Sequence, residues 1–143
     1  MSVPDWEKGE RRMPLGDSGG DFQYTFEGLP QNVMFHEIPS ENVERSVDFY
    51  KNIMFIDVIS VQEDHAILKL KGSFLLIRKR KDAGVDTGIY MGVRDPFEFH
   101  RRMVDDGVVF LRHPERGPFG VYASFYDADR NILHVVTDQD QVP

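Results

Sequence analysis

Apolar and polar positions run through the same pattern twice along this chain. Val33 to Ile38 is an apolar-rich stretch with the character of a strand. Pro39-Ser40-Glu41-Asn42 breaks it, and Asn42 is suited to cap a helix, with Glu44 favourably placed in the first turn. Val43, Val47, Tyr50 and Met54 recur at helical spacing, flanked by Ser46 and Ile53. Short strand-like runs come next at 56–62, 66–70 and 74–79, separated by turns at Glu63-Asp64 and Lys71-Gly72-Ser73. The second round opens with Ile89 to Val93. Asp95-Pro96 marks a helix start, a capping Asp followed by Pro at the first helical position, with Glu98 three residues after the cap. Phe99 and Met103 supply the apolar face and Gly107 ends the helix. Strands are expected at 108–112, 121–126 and 133–137.

Each round is therefore β-α-β-β-β, with a period of about 50 residues. One such unit is a curved sheet covered by its helix on one face only. Two of them side by side leave their uncovered faces as a trough suited to a ligand. The expected architecture is α+β: two βαβββ modules, 33–80 and 87–137, in a single domain over 32–138 whose mixed sheet bears a cleft. Residues 1–31 hold eight Gly and Pro residues and many charges, and read as a loose extension, with 139–143 a tail. Within the extension Phe22, Tyr24 and Phe26 alternate, as in a strand added to a sheet edge of the same chain or of a partner.

Composition narrows the function classes. The 143 residues suffice for one domain with a real core, 41% are hydrophobic, and the formal net charge is −7. That charge argues against nucleic-acid binding. The one dense basic run, Arg78-Lys79-Arg80-Lys81, comes after an apolar strand and reads as a solvated strand end. Cysteine is absent, which removes disulfides, thiolate metal sites and a cysteine nucleophile. No apolar run reaches the roughly 18 residues of a membrane span. The first residues lack the apolar core of a signal peptide, so a cytoplasmic location is expected. No phosphate-binding Gly-rich loop, Ser nucleophile elbow or His-Glu-x-x-His pattern occurs.

Two stretches, tied together by the duplicated spacing, carry a family resemblance. Glu37-Ile-Pro-Ser-Glu-Asn-Val-Glu-Arg-Ser-Val-Asp-Phe-Tyr50 and Gly120-Val-Tyr-Ala-Ser-Phe-Tyr-Asp-Ala-Asp-Arg-Asn-Ile-Leu-His134 resemble the first strand and helix, and the terminal hairpin, of the glyoxalase/bleomycin-resistance/extradiol dioxygenase (vicinal oxygen chelate) superfamily. The likeness spans about residues 33–137. Where the family pattern has Gly-Phe after the first helix, this chain has Phe55-Ile56. In the terminal turn Ala128 and Arg130 replace Pro and Gly, so Arg130 is expected to carry a positive φ.

The resemblance implies a divalent metal that chelates vicinal substrate oxygens, held by ligands on the first and last strand of each module. The corresponding first-strand positions, seven before each helix cap, are Phe35 and Gly88, and the last-strand positions are about Leu75 and His134. Only His134 is a ligand type, so no catalytic metal or other cofactor is favoured. His36 is one residue out of place and, by strand alternation, faces the helix. Glu37 lies mid-strand on the face expected to line the cleft. It reads either as a ligand-binding group, general base or second metal ligand beside His134, or as half of a salt bridge. Parity adds Tyr90, Tyr122, Ser124, Tyr126 and His134 to the cleft, and the turn-rich stretch His113–Gly120 is expected to cover its mouth through Arg116 and Phe119.

The function expected is small-molecule binding in the cleft of a homodimer, with the acidic charge suiting a cationic, partly aromatic compound. Two alternatives stand beside it. One is a divalent-metal-dependent lyase, isomerase or dioxygenase using His134 and Glu37, with His36 as a further candidate ligand. The other is an accessory protein whose cleft is filled by its own aromatics or its N-terminal segment.

Overall fold

A computed structural model describes residues 27–138. The chain divides into two units, Met1–Asn32 and Val33–Pro143, and both modules belong to the second. The alternating aromatics of the extension, Phe22, Tyr24 and Phe26, and the tail 139–143 lie outside the described residues.

The element order is the twice-repeated pattern that the apolar spacing predicts. The first module is β1 (Phe35–Ser40), α1 (Val43–Asp48), β2 (Asp57–Val61), β3 (His65–Leu70) and β4 (Ser73–Lys79). The second is β5 (Asp86–Val93), α2 (Pro96–Asp105), β6 (Phe110–Gly117), β7 (Gly120–Tyr126) and β8 (Ile132–Thr137). Each forms a four-stranded mixed sheet, ordered β1-β4-β3-β2 and β5-β8-β7-β6, in which the first strand pairs in parallel with the last. The edge strands β1 and β5 lie next to each other.

Both helix starts arise from local chemistry. Asn42 Oδ1 accepts the Arg45 N–H, and one Asp95 carboxylate oxygen accepts the Phe97 and Glu98 N–H groups. Glu98 ion-pairs with Arg101 rather than reaching back to its cap. After Asp48 the helix widens into a π-type turn, Phe49–Ile53, and leaves through Phe55 at φ 59°. Gly107 closes α2 at φ 86°.

Three strands differ from expectation, and one of them, β5, starts at Asp86 rather than Ile89. β1 continues through Pro39 to Ser40, because it is a sheet edge. Its ladder partner is β4 alone among the described residues, so the missing proline N–H costs no bond. β6 extends to Gly117, and Pro118-Phe119 alone form the hairpin turn; His113–Gly117 is strand, not a covering loop. Bulges between Phe110 and Arg112 and between Arg112 and Glu115 absorb His113-Pro114, which a regular ladder would not accommodate.

The core sits on the helix-covered faces. Ile38, Ala66, Leu68, Leu75 and Ile77 pack with Val43, Val47 and Tyr50, while Ala123, Phe125, Leu133 and Val135 pack with Met103 and Phe99. The turn after β7 fastens the two modules together. Asp127 accepts the backbone N–H groups of Asp129 and Asn131 on Oδ1 and the Tyr50 hydroxyl on Oδ2, the last at 2.5 Å. Asp129 accepts from the Ser40 hydroxyl at 2.7 Å and from Arg45 at 2.8 Å. Fully buried Asn131 donates to the Pro39 carbonyl and to Asp127, and accepts the Gly84 and Val85 N–H groups. Burial, then the neighbouring Asp127, pushes the Tyr50 hydroxyl well above the usual phenol range; burial also raises the Asp127 carboxyl, against the hydrogen bonds it receives. Arg130, in the same turn, has φ 65°, the strained conformation expected of it.

Candidate functional site

Strand alternation sorts the side chains onto two faces. Residues that share a face with Ile38, Leu75, Phe125 and Leu133 enter the core. The others line the open faces: Phe35, Glu37, Phe74 and Leu76 in the first module, and Tyr90, Tyr122, Ser124, Tyr126, His134 and Val136 in the second. Phe35 packs on Phe74, with ring centroids 5.6 Å apart.

His134 is the organising residue of the second open face. Its Nε2 lies 2.8 Å from Asp86 Oδ1 and its Nδ1 2.7 Å from Ser124 Oγ. A carboxylate can only accept, so Nε2–H donates to Asp86; in the neutral ring Nδ1 then accepts the Ser124 hydroxyl. The Tyr90 ring stacks on the imidazole at 4.3 Å and 13°, and Phe119 meets Tyr90 edge-on at 6.3 Å. Asp86 is the functional residue that sequence reasoning missed. A bulge between Asp86 and Tyr90, with Gly88 at φ 69°, interrupts the β5–β8 ladder. The Asp86 carboxylate also accepts the Gly88 N–H. The Asp-Thr-Gly sequence of 86–88 was the available signal, a turn-forming tripeptide inside a strand. The hydrogen bond from His134, and next that from Gly88, hold the Asp86 carboxyl below the usual range.

Ser124, His134 and Asp86 thus form a hydrogen-bonded chain of hydrolase-like composition but opposite exposure. Ser124 is 1% exposed, whereas the Asp86 side chain is 60% exposed. A nucleophile needs the reverse, a hydroxyl open to substrate and a buried carboxylate behind the imidazole. The chain of bonds fixes the ring as a wall.

The first module carries no equivalent among its described residues. Glu37 and Tyr90 each lie five residues before a helix cap, and their ladder partners are Leu76 and His134. The counterpart of His134 is therefore Leu76, not Leu75, which is fully buried on the helix face. Glu37 accepts from Arg80 at 2.8 Å and Arg78 at 3.3 Å, which resolves it as part of a salt-bridge cluster. Arg116 is opposite Val121 and so shares the face away from Tyr122. Arg112 takes the expected place, its guanidinium 5.2 Å from the Tyr122 ring centre. That ring also lies so close to Gly117 that an added Cβ would come within 2.5 Å of it.

The donor set does not fit the divalent metal that the resemblance implies. Both His134 nitrogens are engaged, Glu37 is held by two arginines, and Phe35, Gly88 and Leu76 offer no side-chain ligand. Among the described residues no three His, Asp or Glu side chains converge. His36 shares the face of Ile38 and belongs to no such group.

A cleft of about 630 Å³ opens where the edges of the two sheets meet. His36, Leu70 and Ser73 line it from the first module, and Gly88 to Val93, Phe99 and Arg102 from the second. Tyr90, 49% exposed, is the one residue of the His134 wall that lines this cleft; His36, Met91, Val93, Phe99 and Val135 line it from the helix-covered side, and Tyr122, Ser124 and His134 do not line it. No helix among the described residues is long and apolar enough to cross a membrane.

No family model matches the sequence, and neither does any curated protein. Solved structures do match. TnmS3, an antibiotic binding protein from Streptomyces sp. CB03234, superposes with a TM-score of 0.67 at 21% identity, over 77% of this chain and 98% of that one. A glyoxalase/bleomycin resistance protein/dioxygenase superfamily member from Sphaerobacter thermophilus gives 0.67 at 23% identity, over 76% and 98%. The bleomycin-binding protein of Streptomyces verticillus, complexed with copper(II)-bleomycin, gives 0.63 at 13% identity, over 78% and 99%. Two mixed four-stranded sheets, each built as βαβββ and joined edge to edge, give this chain the fold of the glyoxalase/bleomycin resistance/dioxygenase superfamily.

Proposed function

We propose that the chain is a metal-free binding protein for a small planar aromatic compound, held against the Tyr90–His134 wall in a cleft completed by a second copy of the chain. The observation that carries the reading is the Tyr90 ring, stacked on a fixed imidazole and half exposed on the open face of its sheet. Phe35 and Phe119 are likewise exposed on open faces, which is how a binding or pairing surface differs from a solvated one. The solved neighbours include proteins described as antibiotic-binding and bleomycin-binding.

Local charge revises the ligand class expected from the net charge. On the open faces the carboxylates of Glu37 and Asp86 are already engaged, by Arg78 and Arg80 and by His134. Lys69 lies over the Phe74 ring, and Arg112, ion-paired with Glu115, over that of Tyr122. With Glu37, Asp86 and Glu115 all paired, the wall suits a neutral or anionic aromatic compound better than a cationic one.

The test is an NMR titration with naphthalene-2-sulfonate and with its cationic counterpart, naphthyl-trimethylammonium. Saturable shifts centred on Tyr90, Phe119 and His134 are expected, stronger for the sulfonate and at least tenfold weaker in Tyr90→Ala. Equal shifts in Tyr90→Ala, or none with either probe, would refute the reading. Sedimentation equilibrium is expected to give two chains per particle; a monomer at tens of micromolar would remove the second copy from it.

A further inference from the structure

A second cluster of ligand-type side chains lies outside this site. His100 stands on α2 and His113 on the bulged part of β6, and Nε2 of the first shares a hydrogen bond of 2.8 Å with Nδ1 of the second. Both rings pack against Phe110, at centroid distances of 4.5 and 6.5 Å. His113 is exposed and His100 partly so. The fold does not depend on this contact. Met103, Phe99 on Phe125, and the Arg102 bond to the Ile53 carbonyl already dock α2.

The spacing has a chemical meaning. Imidazole binds first-row metals at about 2.0 Å. The 2.8 Å separation is that of an N–H···N hydrogen bond, and an ion bound to both nitrogens would take the place of the shared proton. Two imidazole nitrogens favour Cu(II) over the other divalent first-row ions. The pair comes from two different elements locked by a shared aromatic, so little side-chain freedom remains to be lost on binding. The other coordination positions would face solvent and be filled by water or by a ligand brought with the metal.

We propose that His100 and His113 form a bidentate surface site for a divalent copper-type ion, separate from the His134 wall. CuSO₄ titration of the full chain, followed by calorimetry and electron paramagnetic resonance, tests it. One Cu(II) per chain is expected, with a spectrum showing nitrogen ligation. Affinity should fall at least tenfold in His100→Gln and in His113→Gln, and Zn(II) should bind at least tenfold more weakly than Cu(II). Both substitutions are at solvent-accessible positions, and unchanged circular dichroism and urea midpoints would show that the variants fold. Undiminished binding in the double variant would overturn the site, as would loss on His134→Gln but not on His100→Gln, or a wild-type titration no stronger than that of the double variant.

Discussion

Replacing Asn131 by Ala tests the joint between the modules most directly. Asn131 is fully buried, and its side chain makes four hydrogen bonds: to the Pro39 carbonyl at 2.8 Å, to Asp127 at 3.0 Å, and from the Gly84 and Val85 N–H groups at 2.8 and 3.1 Å. Truncation leaves a carbonyl and two N–H groups without their side-chain partner and takes one donor from a carboxylate already raised by burial. An orphaned buried polar group costs about 1–3 kcal/mol, less wherever water enters the space created. The sum comes to about 3–5 kcal/mol, a large share of the 5–15 kcal/mol that stabilises an ordinary domain. With a urea slope of about 1.5 kcal/mol per molar, the unfolding midpoint should fall by about 2–3 M at unchanged slope. Asn52→Ala, at an exposed position of the π-type turn, is the control and should move it by less than about 0.3 M. A fall of under about 0.5 M for Asn131→Ala would show that the turn does not join the modules as argued.

Strain and charge each supply a further prediction. Phe55 holds φ 59°, is 72% exposed and touches Arg102 through a ring-to-guanidinium contact at 5.2 Å. Relief of about 1–2 kcal/mol of strain outweighs loss of that contact and the added freedom of the unfolded chain, so Phe55→Gly should raise stability by about 0.5 kcal/mol, read as a melting temperature about 2–3 °C higher; a lower one refutes it. Asp86 has its carboxyl lowered by His134, so its stabilising contribution is present above the ordinary carboxylate range and is lost as pH falls through the lower folded value. Wild type and Asp86→Asn should therefore differ at pH 7 and converge below about pH 3. The gap at pH 7 should stay under about 1 kcal/mol, because the side chain is largely exposed. A gap that persists undiminished below about pH 3 would contradict the pairing.

What was legible in the sequence is what local chemistry decides. Asn42 and Asp95 announce their helices because a cap is made with the next three residues, and the repeat showed itself because both modules bury the same periodic positions. What escaped depends on pairing. Pro39 looks like a breaker until its strand is known to be an edge, and His113-Pro114 looks like a loop until a bulge gives it a partner strand. The clasp was invisible for the same reason. Tyr50 read as one more apolar position on a helix, but its hydroxyl meets a carboxylate 77 residues away, and no local signal encodes that distance.

The site shows the same division more sharply. Alternation alone sorts Tyr90, Tyr122, Ser124 and His134 onto one face, but Asp86 reaches His134 only through an interruption of that alternation at Gly88. The bulge changes the meaning of the histidine. Without Asp86, Nε2 would be a free ligand, base or donor; with it, both nitrogens are engaged and the ring offers its π-face to Tyr90 instead. Three leucine-, phenylalanine- and glycine-filled positions remove the partners that a metal would need, and one bulged aspartate converts the remaining ligand into stacking surface. The two changes act in the same direction, from polar chelation toward aromatic contact. On the proposed reading, a planar molecule is the occupant that such a wall suits.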